Sequence, residues 1–239
     1  MIVLFTDFGP GGPYVGQLHA VLAQQAPGTA VIDLFHDVPS HDIRAAAYLL
    51  PAYTRGSPPG TVHVCVVDPG VGGERRPVMV KADHRWYVGP DNGLFHILAR
   101  RARVQECHAI RWQPAHLSAS FHGRDLFVPA AAQLVRGLMP DCVPAALTPP
   151  VPDWPEDLPQ VLYIDHFGNA ITGLRAEGIG RNSRLRVGGA NLAYARTFSE
   201  ARVGQGFWYE NANGLVEIAV NQARACDQLG IAVGDSVGV

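Results

Sequence analysis

The stretch Thr61–Pro77 reads TVHVCVVDPGVGGERRP. Its first seven residues are apolar almost without a break, as in a β-strand buried on both faces. Such strands belong to parallel sheets covered by helices on both sides. The run stops at Asp68, and a proline, three glycines within four positions, an acid and two arginines follow. Glycine turns after strands often cradle phosphates. The Walker pattern, however, ends in GK[ST], and the dinucleotide fingerprint GxGxxG opens a helix. Here Arg75-Arg76-Pro77 leads into another strand. Two readings of the turn remain. Its glycines supply positive φ and its arginines are solvated, or Asp68 stands at a strand end, oriented by an arginine five to eight residues on.

Outward from this strand the first half alternates strand and helix signals. IVLF ends at TDFG, YVGQLHAVLAQQAP has helical spacing and stops at Pro27, and AVIDLF is a second strand. SHDIRAAAYLLPAY reads as a helix capped by Ser40, with Asp42 in its first turn. PVMVKA and RWYVG form a hairpin around Asp83-His84, and NGLFHILARRA and DLFVPAAAQLVRGL are helical, the latter with Pro129 near its start. This order implies an α/β domain with a largely parallel sheet. Ligands of such sheets bind beyond the strand C-terminal ends, where Thr6-Asp7, His36-Asp37 and Asp68 fall. Around 140–159 a proline recurs every few positions, as in a stiff linker. Beyond it, short strand-like pieces split by Gly and Asn, DSVGV among them, indicate a smaller all-β, barrel-like domain. NQARACDQLG is one short helix ending at Gly230. The expected organisation is an N-terminal α/β domain over 1–145, a linker over 146–159 and a β domain over 160–239.

Composition is that of a globular protein, 47% hydrophobic and 17% charged, with a net charge of −2. No basic run exceeds two arginines, which argues against nucleic acid as a partner. No apolar run approaches the roughly 20 residues that cross a bilayer. MIVLFTDFG is too short and lacks the basic flank of a signal peptide, so it reads as a strand. Cys65, Cys107, Cys142 and Cys226 form no CxxC, suit a reducing cytoplasm and read as small buried apolar residues.

Three further clusters carry chemistry. In FHGRD, His122 beside Gly123 can serve as an acid, a base or a hydrogen-bonding group at a helix entrance, while Asp125 is also explained as a helix N-terminal acid. LFHDVPSHDIR holds His36, Asp37, His41 and Asp42, but their spacing fits no zinc pattern, and no metal is expected. In IDHFGN, Asp165 and Asn169 form a hairpin turn or present a carboxylate and an amide to a ligand. Asp91 and Asn92 in GPDNG read as caps of the following helix.

TDFG, HDVPSHDIRAAAYLL, VVDPGVGGERRP, GPDNG, FHGRDLFVPAAA, IDHFGN and NGLVEIAVNQA occur in this order along nearly the whole chain. Each is weak alone; together they resemble the S-adenosyl-L-methionine (SAM) hydroxide adenosyltransferases, or SAM hydrolases, relatives of the SAM-dependent fluorinating and chlorinating enzymes. The resemblance implies an α/β domain followed by a barrel-like domain. It also implies a homotrimer with SAM held between one subunit's N-terminal domain and its neighbour's C-terminal domain. The implied reaction is attack of water or hydroxide on ribose C5′, giving adenosine and L-methionine, with SAM as substrate and no cofactor. The family's Asp-Arg-His set falls on Asp68, Arg75 and His122. Arg76 is a near-equal candidate on physical grounds, and either Asp68 or His122 can take the water's proton. By the same mapping Asp7 binds the ribose hydroxyls, Asp165 the methionine ammonium and Asn169 the adenine edge. Backbone around Val220 and Gln222 completes adenine recognition, and Ala212 and Asn213 meet the methionine carboxylate. The chain departs from the family pattern at Gly12, where an acid is common, at His41, where an aromatic is usual, and at Gly73, in place of Thr. Halogenating relatives carry Tyr where Asp68 stands and Ser where Gly123 stands, so halogenation is the disfavoured alternative. A non-catalytic adenosyl-binding protein is another.

Overall fold

The computed structural model describes residues 1–239. The chain divides into two compact units, Met1–Asp153 and Trp154–Val239. No helix is long and apolar enough to cross a membrane.

The N-terminal unit is built on a seven-stranded sheet. Its strands are β1 (Ile2–Thr6), β2 (Val31–Phe35), β3 (Val62–Val66), β4 (Pro77–Ala82), β5 (Arg85–Pro90), β6 (Gln105–Ile110) and β7 (Cys142–Pro144), in the order β2-β1-β3-β5-β4-β6-β7. The first four in that order are parallel, and the rest are antiparallel additions. The sheet is therefore mixed, parallel across β2, β1, β3 and β5. All five residues of β3 are buried, as its continuous apolar run requires. The β4–β5 turn places Asp83 and His84 at φ 44° and 66°, the left-handed pair that matches strand twist in two-residue hairpins. β6 went unread because QECHAI lacks apolar alternation, and its first two residues are exposed.

Three helices follow the sequence reading: α1 (Pro13–Gln25), α2 (Ile43–Thr54) and α3 (His96–Arg101). The cap of α2 is a correction. Asp42, not Ser40, is its N-cap, accepting from the Ala45 N–H at 2.8 Å. The last helical stretch begins with a π-helical turn at Gly123–Phe127 that runs into α4 (Val128–Val135). Such turns widen a helix locally and recur at functional sites. Leu4, Leu18, Val64, Met79, Val88 and Phe127 belong to one buried core.

The C-terminal unit holds β8 (Leu158–Ile164), β9 (Ala170–Arg175), β10 (Leu185–Val187), β11 (Ala190–Leu192), β12 (Gly206–Glu210) and β13 (Leu215–Val220), with α5 (Ala225–Leu229) near its end. Four strands form an antiparallel sheet, β12-β13-β9-β8, and β10-β11 is a separate hairpin. Isolated bridges close the circuit. Gln160 pairs with Ser236, Arg186 with Gly238, and Tyr194 with Trp208. DSVGV is thus not a regular strand but the piece that joins β8 to β10, which makes the unit barrel-like. Trp208 fills its core and donates its indole N–H to the Ser183 carbonyl at 3.1 Å. α5 ends at Gly230 in the left-handed conformation, φ 62°. All four cysteines are unpaired; Cys65 is buried, and the other three are half-buried rather than fully inside.

Candidate active site

Asp68 follows β3, and Asp7 follows the neighbouring parallel strand β1, so both carboxylates stand at the same sheet edge. The glycine turn is shaped for one purpose visible in its contacts. Gly72 has φ 81°, and a Cβ there would lie 2.5 Å from the Ala119 carbonyl oxygen. Only glycine lets this turn lie against the loop that leads to His122. The turn then folds Arg75 back onto Asp68. Arg75 Nε donates to Asp68 Oδ1 at 3.1 Å and Oδ2 at 2.9 Å, and Nη2 donates to Oδ2 at 2.5 Å. The two side chains are only 4% (Asp68) and 10% (Arg75) exposed. Arg75 Nη2 also donates to His122 Nδ1 at 2.8 Å, and the guanidinium lies over the Phe127 ring at 5.4 Å. Asn92 steadies the strand end by donating to the Val67 carbonyl at 2.9 Å.

The second arginine separates cleanly. Arg76 pairs with Asp91 at 2.5 Å and donates to the Ala146 carbonyl at 2.8 Å. Asp91 in turn accepts from Thr148 N–H and Oγ1. Asp91 is therefore a strap for the 146–148 segment, not a helix cap, and the residue before α3 is Phe95.

The guanidinium fixes the state of His122. Arginine has only N–H groups to offer, so Nδ1 must present its lone pair and a neutral ring carries its proton on Nε2. Burial and the Arg75 charge push the His122 pKa below its ordinary value, opposed by Asp68 and Asp125. Asp125 holds the same loop, accepting from the Ser118 N–H at 2.9 Å while paired with Arg124.

Asp7, Asp68, His122 and Gly123 line a pocket of about 350 Å³, and Arg75 stands outside its lining. Asp7 Oδ2 accepts the His41 backbone N–H at 3.0 Å, and His41 holds a left-handed backbone, φ 65°. Sequence reasoning missed the pocket's aromatic wall. Phe8, Tyr14 and Phe121 pack with ring centroids 5.4 to 5.9 Å apart. Their signal was present, since each sits inside or beside a quoted motif. His36, by contrast, bonds Thr6 Oγ1 at 2.8 Å and Asp33 at 3.0 Å rather than facing this pocket.

The C-terminal unit has its own pocket, about 630 Å³, lined by Asp165, Asn169, Glu217, Val220 and Gln222 among others. The hairpin-turn reading of IDHFGN is the one the bonds here show. Asp165 organises the β8–β9 turn, accepting the Asn169 backbone N–H at 2.8 Å and its side-chain N–H at 3.2 Å. Gly168, at φ 83°, is required because a Cβ would lie 2.7 Å from Arg224 Cβ. Gln222 has φ 59°. Ala212 and Asn213 lie in the β12–β13 turn, outside the lining. Glu217 was overlooked. It is buried, accepts from Tyr209 OH and from Asn211 Nδ2 at 3.0 Å, and its pKa is raised by burial against the pull of those bonds.

Comparison with known proteins adds the family. Residues 2–143 match the SAM hydroxide adenosyltransferase N-terminal domain, and 159–238 match the C-terminal domain. A Thermus thermophilus protein named (R)-S-adenosyl-L-methionine hydrolase is 42% identical, with 98% of this chain and 96% of the relative covered. One of the same name from Salinispora arenicola is 41% identical, covering 98% and 95%. An uncharacterized conserved protein from Thermotoga maritima superposes with a TM-score of 0.85 at 30% identity, covering 99% and 98%. The chain belongs to the SAM hydroxide adenosyltransferase family.

Proposed function

From this membership we propose that the chain hydrolyses SAM to adenosine and L-methionine. Its relatives are named for the (R) form, and that form is the substrate proposed here. The observation that carries the reading is the contiguous Asp68–Arg75–His122 set beside a pocket at the parallel strand ends. A water oxygen attacks C5′ as the C5′–S bond breaks. Sulfur keeps the bonding pair and leaves as a neutral thioether, so no acid is needed at the leaving group. The water gives up one proton.

Asp68 is its proposed acceptor. Neutral His122 has its only lone pair engaged by Arg75, whereas Asp68 lines the pocket and its Oδ1 holds only the longer 3.1 Å contact. Arg75 fixes the carboxylate with a fork of donors, and positioning supplies much of the rate. Asp7 takes the ribose hydroxyls. Asp165 takes the methionine ammonium, and Asn169, Val220 and Gln222 the adenine; all four line one pocket. Ala212 and Asn213 remain proposed for the methionine carboxylate. The proposal includes a homotrimer, in which one subunit's N-terminal unit and its neighbour's C-terminal unit share SAM, and a cytoplasmic setting, which the unpaired cysteines support. Sedimentation at three times the chain mass tests the assembly.

Halogenation is disfavoured by two observations. The Asp68 carboxylate repels a halide, and a Cβ at Gly123 would lie 3.1 Å from Phe8 and 3.4 Å from Phe121, leaving no room for a serine without moving an aromatic ring. Incubation with SAM, with and without excess chloride or fluoride, tests both readings. Adenosine in every arm supports hydrolysis. A 5′-halo-adenosine overturns it in favour of the alternative, and binding of SAM with no turnover favours a sensing protein.

A further inference from the structure

β1 and β2 run parallel, with Leu4 opposite Asp33 but Phe5 opposite Phe35, so β2 carries one extra residue at Leu34. Residues three apart point to opposite faces of a regular strand. A bulge re-aims them, and His36 Nε2 meets Asp33 Oδ1 at 3.0 Å. His19 of α1 reaches the same oxygen at 2.8 Å from the exposed side. A carboxylate only accepts, so His36 Nε2 carries a proton and the neutral ring offers its lone pair at Nδ1. The Thr6 hydroxyl therefore donates to Nδ1 at 2.8 Å, and its oxygen accepts the Phe8 N–H at 3.3 Å. The backbone adds a second tie, from the Gly9 N–H to the His36 carbonyl at 2.6 Å. Thr6 is fully buried and His36 is 8% exposed, so water competes little for these bonds. Between Thr6 and Gly9 stand Asp7 and Phe8, which line the pocket at the strand ends. His36 and Asp33 do not line it, and no step of the hydrolysis uses them.

We infer that His36, oriented by Asp33, is a positioning residue for the substrate site. Through the Thr6 hydroxyl it holds the Thr6–Gly9 segment, so that the Asp7 carboxylate is in place before the ribose arrives. A carboxylate already held in its bound position loses less freedom on binding, and the site gains affinity by that saving. His36 touches no substrate and acts through Thr6 and Asp7. This rests on the proposed role of Asp7 at the ribose.

The test pairs SAM kinetics with amide hydrogen exchange over residues 6–9, on the full-length protein and on Thr6→Val, Thr6→Ser, His36→Leu and His36→Asn. Valine keeps the shape of threonine and removes the hydroxyl, whereas serine keeps it. Asparagine can accept the Thr6 proton in place of Nδ1, and leucine cannot. Thr6→Val and His36→Leu should raise KM about three- to tenfold, with kcat within about twofold of wild type, and should speed exchange at Phe8 and Gly9. Thr6→Ser and His36→Asn should restore both readouts. In an Asp7→Ala background, Thr6→Val should add less than about twofold to KM, because the group it positions is gone. If one of the two hydroxyl- or acceptor-deleting variants does not fold, the other carries the same comparison. Effects that multiply with Asp7→Ala, equal losses in the conservative and deleting variants, or unchanged exchange in a folded deleting variant overturn the inference. A wild type that forms no adenosine overturns the proposed reaction instead, and the exchange data still decide whether His36 holds the segment.

Discussion

Replacing Asp68 with asparagine keeps the side chain's size and removes its charge. In the wild type Arg75 meets this carboxylate through three contacts of 2.5 to 3.1 Å, with the side chains 4% and 10% exposed. Asparagine can still accept from Arg75 through its single oxygen, but its N–H2 cannot take a proton from water. Loss of that assistance should lower kcat by about 10²–10⁴, or about 3–5.5 kcal/mol at about 1.36 kcal/mol per decade. Arg75 also loses its counter-charge, and breaking a buried pair destabilises by up to about 3–5 kcal/mol. The assay must therefore run well below the variant's melting temperature, with circular dichroism confirming the fold. SAM binding relies on other groups, so KM should move by less than about threefold. SAM titrations with adenosine measured by chromatography give both constants. A variant with kcat within about tenfold of wild type and a large rise in KM would refute Asp68 as the proton acceptor and make it a binding residue.

Asp7→Ala should show the opposite split: loss of hydrogen bonds from a charged group, about 1.5–3 kcal/mol, should raise KM by roughly 10- to 150-fold with little change in kcat. His122→Asn, whose side-chain oxygen can replace Nδ1 as acceptor for Arg75, should keep kcat within about tenfold of wild type, whereas His122→Leu should not; equal loss in both would return the proton to histidine. Because the His122 pKa is lowered, kcat should hold through the ordinary histidine value near 6.5 and fall only as pH drops through the depressed one, when a proton on Nδ1 confronts Arg75. His122's contribution to stability follows the same sign, fully present above the unfolded value and lost on acidification, and the part of the acid limb that comes from His122 should vanish in His122→Asn. Gly72→Ala should lower stability by about 1–3 kcal/mol from backbone strain alone and reduce turnover by displacing the turn, while Gly70→Ala, where a Cβ meets nothing within 4 Å, should be nearly neutral in thermal melts and kinetics.

What could be read from sequence followed from patterns that burial enforces. β3 was legible because a strand covered on both faces must be apolar throughout, and its end placed Asp68 at the sheet edge where Asp7 also stands. The choice between Arg75 and Arg76 was not legible from residue type, since adjacent arginines are chemically identical. It is decided by where the turn folds back, and by Asp91 waiting for the other one. The cap of α2 was misjudged by two positions because Ser40 and Asp42 are both good caps, and only the backbone decides which side chain reaches the free N–H. β6 and DSVGV lack a period because exposed or bridging segments need none. Glu217 was hidden for a different reason. One acid inside LVEIAV reads as the polar side of a strand, yet all six residues of β13 are buried. Its partners Tyr209 and Asn211 meet it only after the strands pair.

The proposed reaction requires that a water oxygen become the 5′-hydroxyl of adenosine at this site. Turnover of SAM in ¹⁸O-labelled water, followed by mass spectrometry of both products, tests it most directly. Adenosine and methionine should form in equal amounts, with the label wholly in adenosine and this formation largely lost in Asp68→Asn. Unlabelled adenosine, label in the methionine product, or no adenosine above that from SAM alone would contradict it.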